Sequence, residues 1–132
     1  MPTHNPYDKY RNSVVFTASK EELTLMLYDG ALKFCNQAIV ALENKDIERA
    51  NELIIKVENI IREFQLTLDR NYDVSQYLDT MYVYIYDRLI DANIKKDISV
   101  LEEVRSYLRE LRDTWKEAMK LARSGVKQPV TE

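Results

Sequence analysis

The chain reads as an all-α protein, an antiparallel four-helix bundle with a short N-terminal cap segment. Apolar residues recur three and four apart through four long stretches, the spacing of helices that bury one face. Only two glycines and three prolines occur in 132 residues, with Pro2 and Pro6 at the very start, so little interrupts those stretches. Two of the connections are very short, which forces antiparallel neighbours and gives two helical hairpins packed together. No segment alternates with the period of a strand.

The first helix starts at a capping box. Ser19 can accept from the amide three residues on, while Glu22 reaches back to the cap's own N–H. It is expected to run to Glu43. After the Asn44-Lys45 connection, Asp46 is placed to cap a second helix reaching Leu68, with Ile47, Ala50, Ile54, Val57, Ile61, Phe64 and Leu68 as its seam. Residues 69–74 form the longest break, where Asp69 and Asp73 bracket a turn. Ser75 is expected to cap a third helix that turns Leu78, Met81 or Tyr82, Ile85, Leu89 and Ala92 inward. Asp97 caps the fourth, whose seam is Ile98, Leu101, Leu108, Leu111, Trp115, Ala118 and Ala122. Lys45-Asp46-Ile47 and Lys96-Asp97-Ile98 echo one another at the starts of helices two and four.

Residues 1–18 are expected to be a cap segment, 19–124 the bundle and 125–132 a flexible tail. In the first of these, Asn5-Pro6 is a good helix start. Tyr7, Tyr10 and Val14 then fall three and four apart. Too short to hold alone, such a segment suits a detachable cover.

Bulk properties exclude several functions. A net charge of −3 with Lys and Arg evenly spread argues against nucleic acid, which needs a basic face. No apolar run approaches the ~20 residues of a membrane span, and residues 1–13 lack a signal-peptide core. A cytoplasmic location is expected. Cys35, a lone cysteine at an apolar helical position, reads as a buried structural thiol.

No catalytic apparatus is visible. His4 is the only histidine, and neither a Glu-x-x-His pair, a P-loop nor a Cys-x-x-Cys occurs. Glu21-Glu22 and Glu102-Glu103 suit helix N-termini, where acids complement the dipole. No cofactor or metal is expected, and the protein is read as a non-enzyme.

The informative feature is surplus apolar circumference. On helix one, the seams Leu27, Ala31, Phe34, Ala38, Ala41 and Leu25, Tyr28, Leu32, Cys35, Ile39, Leu42 together span roughly 200°, against the ~100° of an ordinary surface helix. Leu53, Ile55, Ile60 and Leu66 widen helix two. Tyr77, Tyr82, Tyr84 and Tyr86 crowd helix three, and some of them must reach the surface. Gly30 carries a mid-helix cost of about 1 kcal/mol, which suggests another backbone coming close. The wide arc on helix one is also what a generously buried helix would carry, but together these features predict grooves for amphipathic helices of a partner. A homodimer would use the same surface.

Four blocks carry a family resemblance. Asn5-Pro6-Tyr7 and Tyr10, then Thr17-Ala18-Ser19, Glu22-Leu23-Thr24-Leu25-Met26-Leu27-Tyr28-Asp29-Gly30-Ala31 and Lys33-Phe34 form the first. Ile60-Ile61, Glu63 and Leu66-Thr67-Leu68-Asp69 form the second. Met81-Tyr82, Tyr84, Tyr86, Arg88-Leu89, Ala92-Asn93 and Asp97 form the third, and Leu111-Arg112-Asp113 with Trp115 the last. In order and spacing, over about residues 5–120, they resemble the FliS family of flagellar export chaperones. Lys20 departs from it, standing where many relatives carry proline.

The resemblance implies a bacterial chaperone that binds the disordered C-terminal region of flagellin and prevents its premature polymerisation. It also implies delivery to the flagellar type III export gate, with the gate component FlhA as a second partner. On this reading Leu25, Tyr28, Leu32, Ile55, Tyr82 and Tyr86 are expected to line client pockets. Tyr7, Tyr10 and Val14 would form a cap that the client displaces, or that the export gate reads. The competing expectation is a self-associating bundle, a homodimer without a client.

Overall fold

A computed structural model describes residues 19–71 and 73–123. The expected cap segment, with Tyr7, Tyr10 and Val14, and the expected tail at 125–132 lie outside the described residues. Four helices account for the described chain: α1 (Lys20–Glu43), α2 (Ile47–Thr67), α3 (Val74–Lys95) and α4 (Ile98–Arg123). Around the bundle α1 packs against α2 and α4, and α3 packs against the same two. The result is a four-sided ring, as the short connections require.

Each start is governed by local chemistry. The Ser19 hydroxyl accepts from the Glu22 amide at 3.1 Å, and the Ser19 amide donates to Glu22 at 3.0 Å, so the capping box is complete. Asp46 accepts from the Arg49 amide at 3.1 Å. Asp97 accepts from both the amide and the hydroxyl of Ser99, at 2.9 and 2.7 Å, which holds its carboxyl below the usual carboxylate range. The third start differs from expectation. Helix α3 begins at Val74 behind Asp73, which is already helical in backbone and makes no side-chain cap. Ser75 is inside the helix and buried.

The repeated Lys-Asp-Ile has a geometric meaning. Lys45 and Lys96 are left-handed, with φ of 61° and 52°. After α1, Asp46 N–H donates to Ala41 C=O and Lys45 N–H to Leu42 C=O, the paired bonds of a Schellman stop. After α3, Asp97 N–H reaches Ala92 C=O in the same way. Each lysine ends one helix and the aspartate after it starts the next.

The ring arrangement also absorbs the wide arc of α1. With neighbours on two sides and the bundle centre between them, one helix can bury about twice the usual stripe. Tyr28, Ala31, Leu32, Cys35, Ala38, Ile39, Ala41 and Leu42 are all buried. They meet Ile54, Val57, Ile61, Ile85, Leu89, Leu101, Val104 and Leu108 at the centre. The expected surplus on α1 is therefore largely core.

Gly30 is also reassigned. A Cβ placed there would meet Ile60 Cδ1 at 3.7 Å, an ordinary contact with a flexible side chain. No backbone approach requires the glycine.

Candidate functional site

Tyr28, Leu32 and Tyr82, expected to line surface pockets, are instead interior. Tyr28 and Tyr82 are 2% and 4% exposed. Their hydroxyls lie 2.8 Å apart across the bundle, and Phe64 stands beside both rings at centroid distances of 4.4 and 5.3 Å. Burial pushes the Tyr28 phenol far above its ordinary value, with Tyr82 adding to the effect. The Tyr82 phenol is also raised by burial, while the hydrogen bond from Tyr28 opposes the rise. Neither ring is available to a partner while the bundle stays closed. Of the four α3 tyrosines, Tyr77 and Tyr84 are exposed and Tyr86 is half-buried.

Leu25, Ile55 and Tyr86 remain near the surface, but on different faces. Leu25 lines an open depression of about 400 Å³ between α1 and the end of α4, with Asp113, Lys116, Met119 and Lys120. Tyr86 lines a shallower one of about 280 Å³ with Arg62, Gln65 and Leu66, between α2 and α3. Ile55 lies further along the same face. The six expected residues thus form no single site.

The seams differ in how polar side chains cover them, and between α1 and α2 the bridge is Lys56 over the Phe34 ring at 5.1 Å. Between α1 and α4, Arg112 pairs with Asp29 at 2.9 Å and Arg105 with Asn36 at 3.0 Å. Trp115 there donates to the Glu21 carbonyl at 3.0 Å. Between α3 and α4, Glu103 accepts from Tyr84 at 2.5 Å and Arg88 at 3.0 Å, while Tyr84 meets Tyr107 edge-on. Those two donors, Tyr84 first, hold the Glu103 carboxyl below its usual range. Exposed pairs of this kind add little stability, but they cover their seams with polar atoms.

The α2–α3 face is different. Asn93 donates to Asn51 across it at 2.8 Å and Arg62 Nε to the Tyr86 hydroxyl at 3.1 Å, while Arg70, just past α2, pairs with Asp79 at 3.2 Å. Around them the helices leave Ile55, Leu66, Val83 and Ile94 exposed, at 41, 82, 45 and 76%. On α3, Val83, Tyr86, Ile90 and Ile94 follow the three-and-four rhythm of one stripe. On α2, Ile55, Arg62 and Leu66 do the same. This apolar strip is the kind of surface that the surplus argument anticipated. It was expected mainly on α1 and lies mainly on α2 and α3.

Sequence reasoning counted Leu66 in the excess of helix two without placing it among the site residues, and it missed Ile94 and Glu58 altogether. Glu58 is four residues after Ile54 and three before Ile61, which is the phase of a core residue. That signal was present.

Among the described residues no helix is long and apolar enough to cross a membrane, and no cluster of metal-ligating side chains occurs.

The chain's likeness to known proteins is extensive. The family described as flagellar protein FliS matches residues 3–122. The flagellar secretion chaperone FliS of Bacillus subtilis is 49% identical over 93% of this chain and 92% of its own length. The protein of the same name from Escherichia coli is 32% identical, over 89% and 88%. That from Campylobacter jejuni is 30% identical, over 89% and 93%. With a family match over nearly its whole length and a relative 49% identical over most of it, the chain belongs to the FliS family of flagellar secretion chaperones.

Proposed function

We propose that the protein holds the C-terminal region of flagellin in the bacterial cytoplasm and keeps it from polymerising before export. It then hands that client to the flagellar type III export gate, with FlhA as the receiving component. The family supplies the chaperone role in flagellar secretion; the client and the gate are the finer reading.

The observation that carries it is the α2–α3 face, with Ile55, Leu66, Val83 and Ile94 exposed along two parallel stripes. A disordered segment with apolar residues at i, i+3, i+4 and i+7 can fold onto such a strip as a helix. Full burial of one isoleucine or leucine contributes about 1.5–3 kcal/mol. Ordering the client costs about 2–5 kcal/mol, so a few anchors offset that cost and leave an affinity low enough for release. Leu25 on the α1–α4 face suits a second stretch of the same client. Tyr7, Tyr10 and Val14 act as a cover that the client displaces or the export gate reads.

Flagellin polymerisation followed by light scattering tests this. Equimolar chaperone should suppress filament growth, and Ile94→Asp should restore it with the bundle's helicity unchanged. Unhindered growth in the presence of the folded wild-type protein would refute the reading. A tight dimer indifferent to flagellin would point to self-association instead.

A further inference from the structure

Glu58 lies in the floor of the α2–α3 face. It is 8% exposed, and its Oε2 is buried without a hydrogen-bond partner. Burial raises its pKa, only partly countered by the charge of Arg62. Arg62 is the cation one turn along the helix, and it is turned elsewhere. Its Nε donates to the Tyr86 hydroxyl at 3.1 Å, and its guanidinium lies 5.1 Å from that ring.

The register places Glu58 within the strip. Asn51 faces Asn93 and Arg62 faces Tyr86, so Glu58 between them is level with Leu89 and Ile90. Beside it the exposed apolar side chains are Ile55 on α2 and, toward the ends of the strip, Ile94 and Leu66. An unpaired buried carboxyl is destabilising, a penalty that a leucine at the same position would avoid. A cationic donor brought in by a ligand would remove it, because a carboxylate buried with a partner is far better off than one buried alone.

We infer that the α2–α3 groove selects an amphipathic helix carrying a lysine or arginine at the centre of its apolar face, which pairs with Glu58 between anchors seated on Ile55 and Ile94. This rests on the docking face described above and deepens it, turning a generally apolar groove into a selective one. The ligand's charge is thus read at one buried point, and the surrounding isoleucines supply area without discrimination.

Two designed peptides test it, identical amphipathic helices except for lysine or methionine at the central apolar position. Titrated at pH 7.5 against the full-length protein, the lysine peptide should bind about tenfold more tightly, the order of one charge-assisted hydrogen bond. In Glu58→Gln and Glu58→Leu the preference should vanish, and the methionine peptide should bind Glu58→Leu at least as well as wild type. Ile94→Asp should weaken both peptides.

Equal binding of the two peptides to wild type would overturn the inference. So would a preference that survives in Glu58→Leu, or peptide binding indifferent to Ile94→Asp. Self-association lost in Ile94→Asp would assign the groove to a second copy. Peptide affinity raised by Tyr7→Asp with Tyr10→Asp, without a lysine preference, would assign it to the chain's own N-terminal segment. Selective binding of the lysine peptide alongside failure of flagellin to bind would refute the proposed client while leaving this inference standing.

Discussion

The hydroxyls of Tyr28 and Tyr82 meet at 2.8 Å in the interior of the bundle, joining α1 to α3 across 54 residues of sequence. Neighbouring helices in the ring touch along their lengths, but this bond spans the diagonal. Phe64 from α2 stands beside both rings, so three helices converge on one polar contact within an apolar core. A phenol left alone there would lose its partner without regaining water.

Tyr28→Phe should therefore destabilise the bundle by about 1–3 kcal/mol, because it strands the Tyr82 hydroxyl. Tyr82→Phe should cost a similar amount. The double variant should cost less than the two single losses combined, since replacing both partners leaves nothing unsatisfied. Urea unfolding of the four proteins measures the coupling. Charged substitutions at either tyrosine should unfold the bundle, not merely abolish client binding with helicity intact.

Gly30→Ala should stabilise the protein by about 1 kcal/mol. Alanine is the better helix former and restricts the unfolded chain, and the added methyl meets only Ile60 Cδ1 at 3.7 Å. A lower unfolding midpoint would show that the α1–α2 packing has less room than the geometry gives.

Glu58 sets a pH dependence with a definite sign. Its folded pKa lies above the unfolded one because burial disfavours the charge, so the folded state holds the proton more tightly. The stabilising contribution of that proton is complete below the unfolded value, about 4.3. It is lost as pH rises through the folded pKa. Glu58→Gln, which keeps the shape without ionising, should be more stable than wild type at pH 8 by about 1 kcal/mol or more. The gap should narrow as pH falls toward 4.5. Thermal unfolding of both proteins across that range checks it, and a gap independent of pH would contradict it.

Cys35 should resist alkylation. Its thiol is buried, donates to the Leu101 carbonyl at 3.4 Å, and has its pKa pushed up to about 12 by burial. The reactive species is the thiolate, so iodoacetamide labelling at pH 8 should be slow. Its rate should follow the unfolding equilibrium in urea.

Much of the architecture could be read from residue spacing. The Ser19 capping box, the aspartate caps at Asp46 and Asp97 and the seams of Ile54, Val57, Ile61 and of Leu101, Leu108 depend on local rules that tertiary context did not override. The client face was harder. A helical wheel gives the angle of Tyr28 and Leu32 but not how many neighbours share that angle. Once α1 is flanked on two sides, its broad arc becomes interior and the apolar excess appears at Leu66, Val83 and Ile94. Glu58 stood in the phase of a core residue, yet only burial distinguishes a stranded acid from one that has reached solvent. Lys45 and Lys96 marked the stops by repetition, although the left-handed backbone at non-glycine residues carries no sequence signature of its own.

The decisive measurement is a calorimetric titration of the wild-type protein with a peptide spanning the C-terminal region of flagellin, paired with circular dichroism of the mixture. Saturable binding should appear, with a negative heat-capacity change and a gain in helicity beyond the sum of the separate components, as a disordered segment folds onto apolar surface. Ile55→Asp and Ile94→Asp should each weaken it at least tenfold while the bundle stays folded. An absence of heat and of added helicity, with the wild-type bundle intact, would contradict the proposal that its exposed isoleucines and leucines receive a client helix.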